Sequence, residues 1–133
     1  VVTDSCASVP EPLVKELGIE VVHYHVHTVQ GTYRDGLDMP ADEFYAWVKT
    51  APEWPTTANP SAGEYLEVYR RAAQRSDGIV AISITGTGSG GYQAAVSVVG
   101  ASLRGLINAP ALRPFNFRWR CREKQRPGKV ILR

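Results

Sequence analysis

A glycine-rich loop between two apolar segments carries the residues best placed for chemistry. The run at 78–84 has the length of a buried strand, and the alanine- and valine-rich segment from Gly91 onward is typical of a helix. The first turn of such a helix directs unpaired N–H groups and a partial positive charge at the loop. Hydroxyls of Thr85, Thr87 and Ser89 add donors, so the loop favours a small anion.

The spacing Gly86-x-Gly88-x-x-Gly91 matches the dinucleotide fingerprint. A ribose ligand also needs an acidic residue about twenty positions further on, and no Asp or Glu stands between Asp77 and Glu123. We therefore expect no nicotinamide or flavin cofactor. A plain glycine-rich turn that only packs helix against strand stays open as an alternative.

A second hydroxyl-rich segment precedes another predicted helix. The proline-rich run at 52–60, expected to be a rigid loop, contains Thr56 and Thr57 and leads into Ser61, with Glu64 three positions later. That spacing predicts a capping box at the start of a helix. Neither hydroxyl-rich loop contains Lys or Arg. If the loops are neighbours, both helix starts converge on one small anion.

Three histidines on one face of a predicted strand raise two alternatives. The segment 19–29, interpreted as one strand, alternates so that His23, His25 and His27 share a face. They could form a metal-binding module, or one could serve as the base of a hydrolase with Ser89 as nucleophile. No Cys or carboxylate spacing completes a metal set, and the Gly-x-Ser-x-Gly elbow fails because glycine does not stand two positions before Ser89. We expect neither a metal nor an enzyme.

The elements that position these loops alternate strand and helix, which predicts an α/β fold with a mainly parallel sheet flanked by helices. A strand ends at Asp4 and Ser5, where open sheets keep ligand groups, and a short helix follows from Pro10 to Leu17. After the strand at 19–29, a turn at 30–32 and a hairpin return at 33–37 lead to the next helix.

The helix that begins near Pro40 carries an apolar face of Phe44, Trp47, Val48 and Ala51. These positions recur with helical spacing, so we expect this face to pack on the core. We do not interpret its aromatic side chains as ligand contacts.

Composition bounds the remaining possibilities. The 133 residues are 44% hydrophobic with no apolar run of eighteen residues, which predicts one globular domain without a membrane span. Residues 1–112 contain seven Lys or Arg and twelve Asp or Glu, a charge of −5, whereas residues 113–133 contain eight and one, a charge of +7. The basic end is aperiodic, and we expect no nucleic-acid partner.

The two cysteines, Cys6 and Cys121, match no metal or redox spacing and are expected to be free thiols. Thr3 and Asp4 interrupt the start of the chain, where a signal peptide would be apolar. We therefore expect a cytoplasmic protein.

Three motifs, in this order and spacing, resemble the DegV family of bacterial fatty-acid-binding proteins. They are Thr-Asp-Ser at 3–5, Pro-Thr-Thr-Ala-Asn-Pro-Ser at 55–61 and Ser-Gly-Gly-Tyr-Gln at 89–93. The resemblance covers about residues 1–106. It implies the N-terminal domain of a two-domain α/β protein about twice this length.

The resemblance also implies a long-chain fatty acid as ligand, with its carboxylate held by Thr57 and Ser89. It places Ser5, Ser61, Gly90 and Gly91 in the same binding site. Some members of the family present the lipid to a separate fatty acid kinase subunit, which is the partner implied here. They are not enzymes by themselves.

Departures from the family pattern set limits on this expectation. Ala58 and Asn59 replace a serine and a glutamine, and Gly91 replaces a threonine. We expect a DegV-like domain at 1–109 and a basic tail at 110–133 without resemblance, with the C-terminal domain absent, as in a truncated or frame-shifted product. A shortened protein would leave much of an acyl chain exposed, so we expect weak binding or a homodimer that covers an apolar groove.

Overall fold

The structure is a computed structural model, and it describes residues 1–76, 78–84, 86 and 88–101. Strands and helices alternate along this part of the chain. In order, they are β1 (Val2–Asp4), a 3₁₀ turn (Ser5–Ala7), α1 (Glu11–Glu16), β2 (Glu20–Val22), β3 (His25–Thr28), β4 (Gly31–Arg34), α2 (Ala41–Val48), β5 (Thr56–Ala58), α3 (Ala62–Ala73), β6 (Ala81–Ile82) and α4 (Gly91–Ala101).

These strands form two three-stranded sheets. One has the order β2-β1-β6 and is parallel, with Val2 of the central strand opposite Glu20 and Ala81. The other has the order β4-β3-β5 and is antiparallel. The predicted α/β class, with a parallel sheet and helices, is confirmed. The predicted hairpin is β3 and β4, and β5 extends it into a sheet that the sequence did not indicate.

The segment 19–29 is not the single strand that its pattern predicts. It divides into β2 and β3, which belong to different sheets, and at the break the N–H of Tyr24 bonds to a side chain instead of a strand. Its N–H donates to Ser5 Oγ at 3.1 Å, and its carbonyl accepts the N–H of Asp35 at 2.8 Å. The alternation of burial nevertheless continues across the break, with the buried positions at Val22, Tyr24 and Val26.

The proline-rich run at 52–60 is not only a loop, because it contains the strand β5. This strand pairs antiparallel with β3, and Thr57 lies opposite Val26. Threonine is β-branched and favours extended backbone. Pairing with β3 therefore outweighs the turn signal of the prolines and fixes Thr57 on the antiparallel sheet.

The hydrophobic core contains residues of α3, α4 and the parallel sheet. Its buried members are Val2, Val22, Tyr65, Val68, Tyr69, Ala72, Ala95 and Val98. Full burial of a large apolar side chain contributes about 1.5–3 kcal/mol. The packing of α3 and α4 in this core positions the two hydroxyl-rich segments that precede them.

The helix α2 does not pack on this core, contrary to the expectation for its apolar face. None of its residues is buried. The ring of Phe44 instead contacts its own helix, with centroids 5.6 Å from Tyr45 and 6.2 Å from Trp47. Helical periodicity correctly predicts the element but not the surface that its apolar face meets.

Several sequence expectations fall on residues that the structure does not describe. They are Thr85, Thr87, Cys121, the domain boundary at 109 and the basic tail at 110–133. Within the described ranges, no helix has both the length and the apolar character that crossing a bilayer requires.

Candidate functional site

A hollow of about 310 Å³ brings together residues that are far apart in the chain. Its described lining comes from the turn after β1, the β2–β3 connection, β3, the end of the hairpin, α2, β5 and the loop before α4. These residues are Cys6, Tyr24, Val26, Asp35, Phe44, Thr57, Ile84, Gly88 and Ser89. One hollow therefore combines hydroxyl groups with aliphatic and aromatic side chains.

The two hydroxyl residues singled out from the sequence both line this hollow. Thr57 lies on β5, with its side chain exposed. Ser89 is half-buried just before α4. The pairing of β5 with β3 places Thr57 beside Val26, and Val26 lines the same hollow. Long-range strand pairing thus brings the two loops to one place.

Among the described residues, Ser89 has two hydrogen-bond partners at the start of α4. Its Oγ lies 2.7 Å from the hydroxyl of Tyr24, and either group can donate. It also accepts the backbone N–H of Gly91 at 3.2 Å. No acidic residue stands in the first turn of α4. The positive end of this helix therefore lacks a side-chain anion from its own first turn.

The start of α3 is different, and the expected convergence of two free helix ends does not occur. Ser61 and Glu64 form the predicted capping box, in which Ser61 Oγ accepts the N–H of Glu64 and Glu64 accepts the N–H of Ser61. Glu64 also lies 2.9 Å from Nε2 of His25. This helix start is occupied by its own side chains.

The remaining residues of the implied site do not appear in the described lining of the hollow. Ser61 caps α3, and Ser5 Oγ accepts the N–H of Tyr24. Gly90 is exposed, and a Cβ there would lie 3.0 Å from Oδ1 of Asn59. Gly91 is buried against tyrosine side chains. Their geometry suits a supporting role.

Asp35 lines the hollow, Asp4 bonds to the backbone of the lining residues Ile84 and Cys6, and the described lining contains no Lys or Arg. Burial raises the pKa of Asp4, although the N–H groups of Ile84 and Cys6 act in the opposite direction. Burial also raises the pKa of the Cys6 thiol, as do the charges of Asp4 and Asp35. An anionic ligand would therefore depend on hydroxyls, N–H groups and the helix end.

Each of the three histidines has a partner of its own. His23 Nδ1 donates to the carbonyl of Asp35 at 2.7 Å, His25 meets Glu64, and His27 Nδ1 lies 2.7 Å from Oγ1 of Thr32. In the described part of the chain, no three His, Cys, Asp or Glu residues are grouped to hold a metal ion. The described contacts support neither the metal-binding nor the hydrolase alternative.

Sequence reasoning named Thr57 and Ser89 but missed most of the other described lining residues, among them Tyr24, Val26 and Phe44. Tyr24 and Val26 share the buried face of their segment, so the alternation was a usable signal for their orientation. Phe44 was assigned to the core by its helical spacing, but it lines the hollow. The spacing alone cannot distinguish a core face from a ligand-facing one.

Comparison with known proteins shows which family and fold the chain shares. Residues 1–104 match the family model described as "Uncharacterised protein, DegV family". A DegV domain-containing protein of Caldanaerobacter subterraneus is 38% identical over 96 residues, which are 72% of this chain and 34% of that protein.

Two solved structures have the same fold. A fatty-acid-binding DegV family protein of Thermus thermophilus is 33% identical, with a TM-score of 0.66 over 74% of this chain and 35% of its own. A stearic-acid-binding protein of Eubacterium ventriosum is 27% identical, with a TM-score of 0.70 over 78% of this chain and 36% of its own. The chain thus spans about a third of the length of the relatives it matches.

Proposed function

Because the chain belongs to the DegV family, we propose that it binds a fatty acid, with the hydroxyls of Thr57 and Ser89 holding the carboxylate. The observation that carries this proposal is that both residues line one hollow. Val26, Phe44 and Ile84 line it as well and offer apolar surface to the adjoining methylenes. Binding of fatty acid by the two related proteins supports the ligand class.

The chemistry of the site suits a carboxylate held without a salt bridge. Hydroxyl groups donate to carboxylate oxygens in short charge-assisted hydrogen bonds, each contributing about 1.5–3 kcal/mol net. The start of α4 has no acid in its first turn, so its partial positive charge adds to the attraction. Recognition of the head group would therefore rest on hydrogen bonds and one helix dipole.

The acyl chain supplies most of the affinity in this proposal. Burial of a methylene group contributes about 0.8 kcal/mol, and the chain matches about a third of the relatives' length, so in this proposal part of a long acyl chain is exposed. We propose weak binding by the isolated chain, with association of two copies as one way to cover the exposed part. A fatty acid kinase subunit that receives the carboxylate is the partner we propose for the complete protein. In this proposal the chain itself catalyses nothing.

Extraction of the purified 133-residue chain with organic solvent, followed by mass spectrometry, tests the proposal. We expect fatty acid in the wild type and much less in Thr57→Val and Ser89→Ala, which remove one hydroxyl each. Ser97→Ala is the matched control, because Ser97 lies on α4, is exposed and donates to the carbonyl of Ala94 of its own helix. Wild-type protein that holds no fatty acid even after incubation with it, or equal content in all variants, would contradict the proposal.

A further inference from the structure

Gly91 and Tyr24 fit together in a way that only glycine allows. A Cβ on Gly91 would overlap the hydroxyl of Tyr24, and it would lie 3.0 Å from Cζ of the same ring and 3.3 Å from the hydroxyl of Tyr65. Gly91 is the first residue of α4, and inside a helix glycine is less favourable than alanine. Space, rather than helix propensity, therefore accounts for glycine at this position.

The hydroxyls of Tyr24 and Ser89 have two protons and share one hydrogen bond. Ser89 Oγ accepts the N–H of Gly91, and the bond between the two hydroxyls uses one further proton. A hydroxyl has one donor and two acceptor sites. Whichever group donates to the other, one O–H proton remains, on Ser89 or on Tyr24. Both residues line the hollow.

We propose that Tyr24 is a carboxylate-positioning residue, which forms one donor unit with Ser89 and occupies the space that makes glycine necessary at position 91. The inference rests on the proposed function. The unit presents one proton to the carboxylate, and Thr57 presents a second. Ser5 fixes the backbone of Tyr24 at this point through the bond from the Tyr24 N–H.

The protonation state of Tyr24 is consistent with this role. Burial raises the pKa of Tyr24, although its hydrogen bond with Ser89 acts in the opposite direction. The Tyr24 phenol therefore stays protonated across the pH range in which a fatty acid loses its proton. A neutral hydroxyl donor is available wherever the ligand is anionic.

The effect of Tyr24 should appear as a preference for an acid over an alcohol of the same length. Dodecanoic acid and 1-dodecanol share a tail, but only the acid offers a charged acceptor, whose hydrogen bonds are roughly twice as strong. A residue that merely supports packing would change the affinity for both probes. A residue that positions the donor to the carboxylate would change the ratio of the two affinities.

The experiment titrates both probes into the wild-type chain, Tyr24→Phe and the matched control Tyr69→Phe. Tyr69 is another buried tyrosine, and it lies outside the described lining of the hollow. We expect Tyr24→Phe to lose about five- to tenfold in affinity for the acid and little for the alcohol. Tyr69→Phe should keep the wild-type ratio of the two affinities.

The possible failures can be told apart. A Tyr24→Phe variant with the wild-type ratio overturns the inference and leaves the proposed function standing. A wild type without preference for the acid overturns the proposed function and this inference with it. Should Tyr24→Phe not fold, Gly91→Ala takes its place, since the added Cβ displaces the Tyr24 hydroxyl. This variant should lower the ratio of the affinity for the acid to that for the alcohol. An unchanged ratio overturns the inference.

A thermal-unfolding cycle tests the steric part without a ligand. Gly91→Ala should lower the Tm clearly in the wild-type background. In a Tyr24→Phe background it should lower the Tm much less, because the overlapping hydroxyl oxygen is absent. Gly63→Ala in α3 is the matched control: its Cβ would meet only Oγ of Ser61, at 3.7 Å, so Tm should stay or rise. An equal loss of Tm from Gly91→Ala in both backgrounds would show that the Tyr24 hydroxyl is not the reason for glycine at position 91.

Discussion

The starts of α3 and α4 look alike in sequence, yet α3 is closed by an acid of its own first turn, whereas α4 has no acid in its first turn. Both follow a loop rich in hydroxyls. In α3, the donors of Ser61 are used by Glu64 of the same turn, whose carboxylate accepts both the backbone N–H and the hydroxyl. In α4, Ser89 bonds to Tyr24 and Gly91, with no acid in the first turn.

This difference indicates what makes a helix start a capped end or a ligand site. A carboxylate at the start of a helix satisfies free N–H groups and the positive end of the dipole, whether it comes from the chain or from a ligand. Glu64 supplies it for α3. For α4 we propose that the ligand supplies it. Removing the acid from α3, or adding one to α4, should therefore reduce the difference between the two helix starts.

The largest effect is expected from Glu64→Ala at the closed start. The change removes half of the capping box and the contact with His25. We expect a loss of about 1–2 kcal/mol in the free energy of unfolding, with little change in affinity for dodecanoic acid. Urea denaturation and a binding titration measure the two effects. A large loss of affinity in a still-folded variant would show that α3 also takes part in binding.

A smaller effect is expected from Gln93→Glu, which places an acid in the first turn of α4. Gln93 is exposed, so the fold should tolerate the change or gain a few tenths of a kcal/mol. Affinity for dodecanoic acid should fall about three- to fivefold, and less at high salt because the charge is screened. Gln30→Glu in the exposed β3–β4 turn is the control. Unchanged affinity at low salt would show that the dipole of α4 does not contribute to binding.

The smallest effect is a change in stability with pH. Burial alone would raise the pKa of Glu64, but the hydrogen bonds from Ser61, with the charge and hydrogen bond of His25, outweigh it and lower the pKa below 4.5. A lowered pKa stabilises the fold above pH 4.5, and this contribution is lost as the pH falls through the folded value.

The stability advantage of the wild type over Glu64→Gln should therefore shrink as the pH is lowered from 7 to below 4. Urea denaturation of both proteins at several pH values measures this difference. A stability advantage that stays constant or grows toward low pH would contradict the lowered pKa of Glu64.

Local features of the fold could be predicted from the sequence because their causes are local. The capping box at Ser61 depends on two residues three positions apart, and the alternation from Val22 to Val26 depends on the two faces of extended backbone. The helix after Ser89 follows from its apolar sequence in the same way, whereas the run at 78–84, expected to be a buried strand, contains only the two-residue strand β6, whose residues are exposed. The family motifs added the expectation that Thr57 and Ser89 act together.

What the sequence could not predict depends on long-range contacts. The strand β5 exists because β3 pairs with it, and the break at Tyr24 depends on bonds to Ser5 and Asp35. In the family pattern Gly91 stands for the loss of a hydroxyl, whereas in the structure the Tyr24 hydroxyl fills the space beside it. Such features require coordinates, since no local pattern contains them.

A crystal structure of the chain with dodecanoic acid tests the central claim most directly. The account predicts one carboxylate oxygen within about 2.5–3.0 Å of Thr57 Oγ1 and the other at the same distance from Ser89 Oγ or the Tyr24 hydroxyl. It also predicts the first methylenes against Val26 and Phe44. A carboxylate that faces solvent, or a fatty acid bound outside this hollow, would contradict the account.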